Sequence, residues 1–204
     1  NEEPPVQIRD IFERKQYVFL DGGMGTMLQA AGLPLGERPE LLNLKDPALV
    51  EQVQRAYVEA GSNIICSNTF GANRAKLTGS GATVQQVIPA AIQCARRAAA
   101  GKALVALDLG PTGQMLEPTG SLTFEQAYDL YAEQVDAGQE ADLILIETMT
   151  DLYEIRAAVL AAKEHGNGKP VIALMTFEHT GRTFTGCSVS AMALTLEGLG
   201  VDAI

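Results

Sequence analysis

The sequence predicts an α/β fold of repeated strand–helix units, a (β/α)8 TIM-type barrel cut off at the start of its sixth strand. Three observations carry that expectation. Six short apolar runs alternate with five helical stretches at intervals of roughly 30 to 45 residues, which is the rhythm of a parallel sheet. The runs are apolar on both faces, as strands covered on both sides are. Polar residues and glycines follow the runs at their C-terminal ends, where a barrel of this class carries its site. Such a barrel needs eight strands, whereas residue 204 falls as the sixth begins. The expected organisation is therefore a leader at 1–16 and a partial barrel at 17–204, with an open parallel sheet as the alternative.

The elements follow in order. After a polar leader, in which Ile8, Ile11 and Phe12 suggest a short docking helix, the first strand runs near Tyr17 to Leu20. Met24 to Ala31 favours a short helix closed by Gly32 and Pro34, and Glu37 to Asn43 reads as irregular. Asp46-Pro47 is a strong helix start, because the aspartate caps free amides and proline suits the first helical position; apolar residues then recur until Gly61. Asn63 to Ser67 is the second strand, ending in Asn68-Thr69-Phe70-Gly71. A short turn with Asn73, Arg74 and Lys76 leads to a helix from Val84 to Ala99, and the third strand, Ala103 to Leu107, exits at Asp108. Thr123 with Gln126 forms a capping box for a helix that Gly138 ends. The fourth strand, Leu143 to Ile146, exits at Glu147, and Thr150 or Asp151 caps the helix after it. The fifth strand is Val171 to Met175; Ser188 or Ser190 starts the next helix, and Val201 to Ile204 begins the sixth strand.

Composition narrows the function. Hydrophobic residues at 47% and charged residues at 20% describe a folded chain rather than a disordered one. A formal net charge of -10 argues against a nucleic-acid or anionic-membrane partner. No apolar run approaches the roughly 20 residues that cross a bilayer, and no signal-peptide core precedes Arg14, so a cytoplasmic protein is expected. Cys66, Cys94 and Cys187 are an odd, widely spaced set, which gives neither a disulfide framework nor a close-spaced metal motif.

The stretch Val18 to Thr26 is the most informative. An apolar run ends in Asp21, and Gly22, Gly23 and Gly25 let backbone approach a ligand closely. Only half of a dinucleotide fingerprint is present there, and a plain glycine turn is the other reading. An open sheet binding a nucleotide at this turn would take a dinucleotide and no amino acid.

Four ordered segments add specificity: Phe19-Leu-Asp-Gly-Gly-Met-Gly-Thr-Met27, Ser67-Asn-Thr-Phe-Gly-Ala-Asn-Arg74, Asp108-Leu-Gly-Pro-Thr-Gly113 and Ile146-Glu-Thr-Met149. Together they resemble the homocysteine S-methyltransferase family, over about Tyr17 to Ile204. The resemblance implies a barrel that binds homocysteine at its top face and a Zn2+ ion on three cysteine thiolates that makes the substrate sulfur a thiolate nucleophile. It implies methyl transfer to that sulfur in methionine synthesis. The donor stays open between methylcobalamin, S-methylmethionine and betaine, the first of which brings folate- and cobalamin-binding modules.

By position, the resemblance makes Asp21, Gly22 and Gly23 the residues that hold the homocysteine amino and carboxylate groups, with Glu147 as a second carboxylate facing the ammonium. Two acids at strand ends suit a cation and exposed amides suit an anion, although Glu147 read alone is equally a rim salt-bridge partner. Asn68 and Thr69 are expected to line the same pocket, and Gly71 to offer an amide. Asp108 either lines that pocket too or, the reading favoured by the residues, is a loop-ordering acid that caps the Gly110-Pro111-Thr112-Gly113 turn. In the family the zinc cysteines follow the sixth strand and lie near the eighth; none of Cys66, Cys94 and Cys187 matches such a position, so no metal residue is assigned. His165 and His179 are expected to face solvent. The chain alone is expected to be inactive and its first and sixth strands to be left with open edges. The alternative function is a non-catalytic amino-acid-binding or scaffold protein on the same barrel.

Overall fold

The structure, a computed structural model, describes residue 13 and residues 17–204. The expected docking helix at Ile8, Ile11 and Phe12 lies outside the described residues.

Four parallel strands form the sheet in sequential order: β1 (Ile64–Cys66), β2 (Leu104–Leu109), β3 (Leu143–Met149) and β4 (Val171–Met175). Helices α1 (Met24–Ala30), α2 (Leu42–Lys45), α3 (Pro47–Ala60), α4 (Arg74–Leu77), α5 (Val84–Ala99), α6 (Phe124–Ala137), α7 (Leu152–His165) and α8 (Val189–Gly198) occupy the connections or precede β1. The first and sixth expected strands are reduced to single parallel bridges, Leu20 to Ile64 and Ala203 to Ile172. Residues 17–20 and 201–204 therefore flank the sheet as two further parallel runs with little ladder of their own. The stretch expected to be irregular at Glu37 to Asn43 instead coils into a 3-10 turn, Pro39–Leu41, and enters α2; Pro39 at its first position supplies the preset φ.

Local chemistry sets the helix ends. Asp46 accepts the Leu49 N–H at 3.2 Å to open α3, and Gly61 closes it with φ 109°, a conformation that suits glycine. Thr123 and Gln126 exchange both bonds of the capping box at α6. Of the paired alternatives, Asp151 caps α7 and Ser188 caps α8.

Strand alternation sorts the side chains into two layers. Ile65, Val105, Leu107, Ile144, Ile146, Val171 and Ala173 pack outward against α5, α6 and α7 in the main core. Ile64, Ala106, Leu143, Leu145 and Ile172 form a second cluster on the opposite, inner face, with Cys66 and Leu104 beside them. At the N-terminal ends of the strands, Asp142 accepts Arg96 and the Val105 N–H, and Asp202 accepts Lys163 and the Val171 N–H. That end is tied off by ion pairs, which leaves the C-terminal ends for a site.

Two boundaries differ from the sequence reading in a way that matters. Asp108 and Glu147 lie inside β2 and β3 rather than beyond their exits. By parity, Asp108 shares the inner face with Ala106, and Glu147 shares it with Leu143 and Leu145.

Candidate functional site

Cys66, Asp108 and Glu147 stand at the upper ends of neighbouring strands on the inner face, with Asp21 joining them from the loop after residue 20. Asp21 is fixed twice: its N–H donates to the Ile64 carbonyl at 3.1 Å, and its Oδ2 accepts the Cys66 N–H at 2.8 Å. Glu147 is aimed by an irregularity. The β3–β4 register shifts between Ile146 and Met149, and Thr148 adopts φ 61°, unusual for a β-branched residue. Backbone strain of this kind clusters at ligand sites.

The electrostatics are one-sided. Burial raises the Asp108 carboxyl well above the ordinary carboxylate range, and Glu147, Asp21 and Glu40 push it the same way. Burial likewise raises Asp21, against the opposing hydrogen bonds at Cys66, and raises Glu147, with Asp21 adding to it. The Cys66 thiol is pushed well up by burial and then by Asp108, Asp21 and Glu147, so it is a neutral thiol rather than a nucleophile. Among the described residues no basic side chain forms an ion pair with Asp21, Asp108 or Glu147. The arrangement awaits a cation from outside.

The glycine loop sits beside this cluster. Gly22 and Gly23 are exposed and lead into α1 with no side-chain cap. The Tyr57 hydroxyl donates to the Gly23 carbonyl at 3.3 Å, and a Cβ at Gly22 would lie 2.9 Å from that hydroxyl. Tyr57 thus braces the loop from α3. The Asp21 charge also raises its phenol, after burial.

The other expected residues act at one remove. Asn68 is buried; its Nδ2 donates to the Pro39 carbonyl and to Asn43 Oδ1, tying the loop after β1 to the 3-10 turn. Thr69 is fully buried, with its hydroxyl on the Asp108 carbonyl at 2.7 Å and on Ser67 Oγ at 2.7 Å. Ser67 Oγ in turn accepts the Asp108 N–H at 3.3 Å, so this hydroxyl pair clamps the Asp108 backbone from both sides. The Gly71 amide, expected to be offered to a ligand, is instead donated to Glu40 Oε1 at 2.7 Å. A buried carboxylate arriving from the 3-10 turn reaches it first.

Asp108 does not order the Gly110-to-Gly113 loop. That acid is Glu154 on the first turn of α7, whose Oε1 accepts the Thr112 N–H and hydroxyl, each at 2.7 Å, and the Tyr131 hydroxyl at 3.1 Å. Lys76 pins the same loop through the Pro111 carbonyl at 2.8 Å. Glu40 and Glu154 carry no motif in the sequence; only the packing of the connections on the sheet reveals them. A cleft of about 420 Å³ is lined by Arg38, Glu40, Phe70 and Lys76. His179 is exposed as expected, whereas His165 is half-buried and bonded to Asp136 at 2.9 Å and Tyr128 at 3.1 Å.

Among the described residues no group of three or more His, Cys, Asp or Glu side chains is arranged to hold a metal ion. Cys66 faces carboxylates, Cys94 receives Arg97 on α5, and the Cys187 thiol donates to the Ser188 carbonyl. The thiols present do not fit a three-thiolate zinc site. No described helix is long and apolar enough to cross a membrane.

The sequence pattern of the homocysteine S-methyltransferase family matches residues 18–204. The chain belongs to that family. As a member of the homocysteine S-methyltransferase family it has relatives in the methionine synthases of Mycobacterium tuberculosis, 34% identical over 206 residues, and of Mycobacterium leprae, 33% identical. Each alignment covers 90% of this chain but only 17% of the relative's length. The metallated form of the homocysteine methyltransferase MmuM from Escherichia coli shares the fold with a TM-score of 0.83 at 21% identity, covering 95% of this chain and 74% of that one. The apo form of the same enzyme gives 0.76. The resemblance carried by the four motifs and the α/β barrel architecture both stand.

Proposed function

We propose that residues 17–204 are the homocysteine-binding part of a homocysteine S-methyltransferase barrel, in a cytoplasmic enzyme that methylates the homocysteine sulfur to form methionine. The observation that carries this reading is the set of carboxylates without a basic partner at the strand ends, beside an open glycine loop, in a chain of this family. Asp21 and Glu147 take the ammonium of the amino acid, and the Gly22 and Gly23 backbone takes its carboxylate. Tyr57 holds the loop at the height this requires. Asn68, Thr69 and Gly71 support the site through Asn43, Asp108 and Glu40. Binding both polar ends of the amino acid fixes the direction in which its side chain extends, and that orientation is this chain's contribution to the transfer.

The zinc ion of the family would keep the substrate sulfur a thiolate, and Cys66, Cys94 and Cys187 are not placed to hold it. The methionine synthase relatives favour methylcobalamin as donor, on cobalamin- and folate-binding modules beyond this segment.

Isothermal titration of homocysteine into the full-length protein and its Glu147→Gln variant tests the reading. Loss of a charged hydrogen-bond partner should weaken binding by about 1.5–3 kcal/mol. Glu147 is the cleaner probe, since Asp21→Asn also disturbs the bond to the Cys66 N–H. Unchanged affinity in Glu147→Gln, or binding of a dinucleotide in place of homocysteine, would refute it.

A further inference from the structure

We propose that Asp108 is a third carboxyl of the amino-group pocket: it is a neutral acid in the ligand-free protein and becomes a counter-ion of the ligand's ammonium, with loss of its proton to solvent. The inference deepens the reading of the Asp21 and Glu147 rim and rests on it.

The geometry begins with an orphan. Asp108 is 6% exposed, and its Oδ1 is fully buried with no hydrogen-bond partner. A buried acceptor without a donor is costly, and native structures retain one chiefly where a ligand or a functional demand explains it. The Asp108 backbone is not free to turn away, because Ser67 and Thr69 clamp its N–H and carbonyl. The strand parity that points Ala106 inward also points Asp108 inward, between Cys66 on β1 and Glu147 on β3.

The groups facing it are Asp21 from the glycine loop, Glu40 from the 3-10 turn, Cys66 from β1 and Glu147 from β3. All are acids, and none can donate a positive charge. Three carboxylates so close cannot all be ionised in a half-buried site, and the most buried of them keeps its proton. An arriving ammonium changes both terms: it supplies the missing donor for Oδ1 and the positive charge that lets the acid ionise. The balance is simple. A neutral Asp108 carboxyl and a ligand ammonium become an ion pair, and one proton leaves to water.

The consequence is selectivity for the amino group. A ligand lacking the ammonium leaves Oδ1 orphaned and the proton in place. A ligand with it binds more tightly as pH rises through the range in which Asp108 titrates.

The test uses the full-length protein with L-methionine, which carries the same ammonium and carboxylate as homocysteine but no ionisable thiol. Calorimetric titration in phosphate and in Tris counts the protons released. The expected result is about one proton per ligand at neutral pH for the unsubstituted protein, and none for Asp108→Asn with affinity about tenfold weaker. The deaminated analogue 4-(methylthio)butanoate should release none. Infrared difference spectra of the ligand-free protein provide the independent readout: a protonated-carboxyl C=O band should be present, vanish with L-methionine and be absent from Asp108→Asn. If that band is missing, or persists in the variant, the proposal for Asp108 is overturned even while ligand binds. If the band is present but neither homocysteine nor L-methionine binds, the amino-acid reading of the pocket falls, and the ammonium role of Asp108 falls with it.

Discussion

Truncating Glu154 tests whether the loop after β2 is held from below. Its Oε1 accepts three donors, but they are not equally dependent on it. The Thr112 hydroxyl has the Gln114 carbonyl at 3.3 Å, and the Tyr131 hydroxyl has the Gly110 carbonyl at 3.2 Å. In Glu154→Ala both hydroxyls rotate to those acceptors, and the Thr112 N–H alone is stranded in a buried position. A stranded amide costs about 1–3 kcal/mol. The one lost methylene adds roughly 0.8 kcal/mol. The alanine variant should therefore lose about 2–4 kcal/mol. Glu154→Gln keeps an acceptor oxygen for Thr112 and the same volume, so its loss should be about 1 kcal/mol, the difference between a charged and a neutral bond. Guanidinium unfolding followed by circular dichroism measures both. Amide exchange at Thr112 should accelerate in the alanine variant and stay slow in the glutamine one. An alanine variant within about 0.5 kcal/mol of the unsubstituted protein, which is ordinary for surface changes, would refute the argument. So would a glutamine variant as unstable as alanine.

Gly110 is required for a different reason: a Cβ there would lie 2.6 Å from the Phe70 ring and 2.7 Å from the Phe70 carbonyl. Gly110→Ala should cost about 1–3 kcal/mol as overpacking, read from the unfolding midpoint, and an unchanged midpoint would contradict the packing. The carboxylate cluster sets the sign of a pH effect. Asp21, Asp108 and Glu147 are all raised in the folded state, so the native protein binds more protons than the unfolded chain from about pH 4 upward. Their contribution to stability is full below that pH and is lost as pH rises through the raised values, the reverse of a salt-bridged acid. Asp108→Asn should flatten this decline and be the more stable protein at neutral pH. Midpoints compared at pH 4 and pH 7 decide it; a variant less stable than the parent at pH 7 would refute it.

The site and its supports were legible in the sequence to different depths. Asp46-Pro47, Thr123 with Gln126, and the Val171 to Met175 strand were readable because caps and strand patterns are local: donor, acceptor and period lie within a few residues. The motifs that carry the family were equally plain, since Asp21, Gly22 and Gly23 are adjacent in the chain.

What the sequence hid is every contact made between connections. The partner of the Gly71 amide is 31 residues away at Glu40, and that of the Thr112 amide is 42 residues away at Glu154. Nothing local distinguishes those carboxylates from solvated ones, so Asp108 looked like the acid of the Gly110 loop when Glu154 was. β2 and β3 also run past the ends read from the sequence, to Leu109 and Met149, and only inside a strand does alternation fix which face a side chain takes. Sequence alone determined the parallel α/β layout, the family and the glycine loop, because these follow from periodicity and from residues adjacent in the chain. Tertiary structure alone decided that Asp108 and Glu147 point inward and that Asp108 lacks a donor, because strand register and helix packing set which buried groups meet.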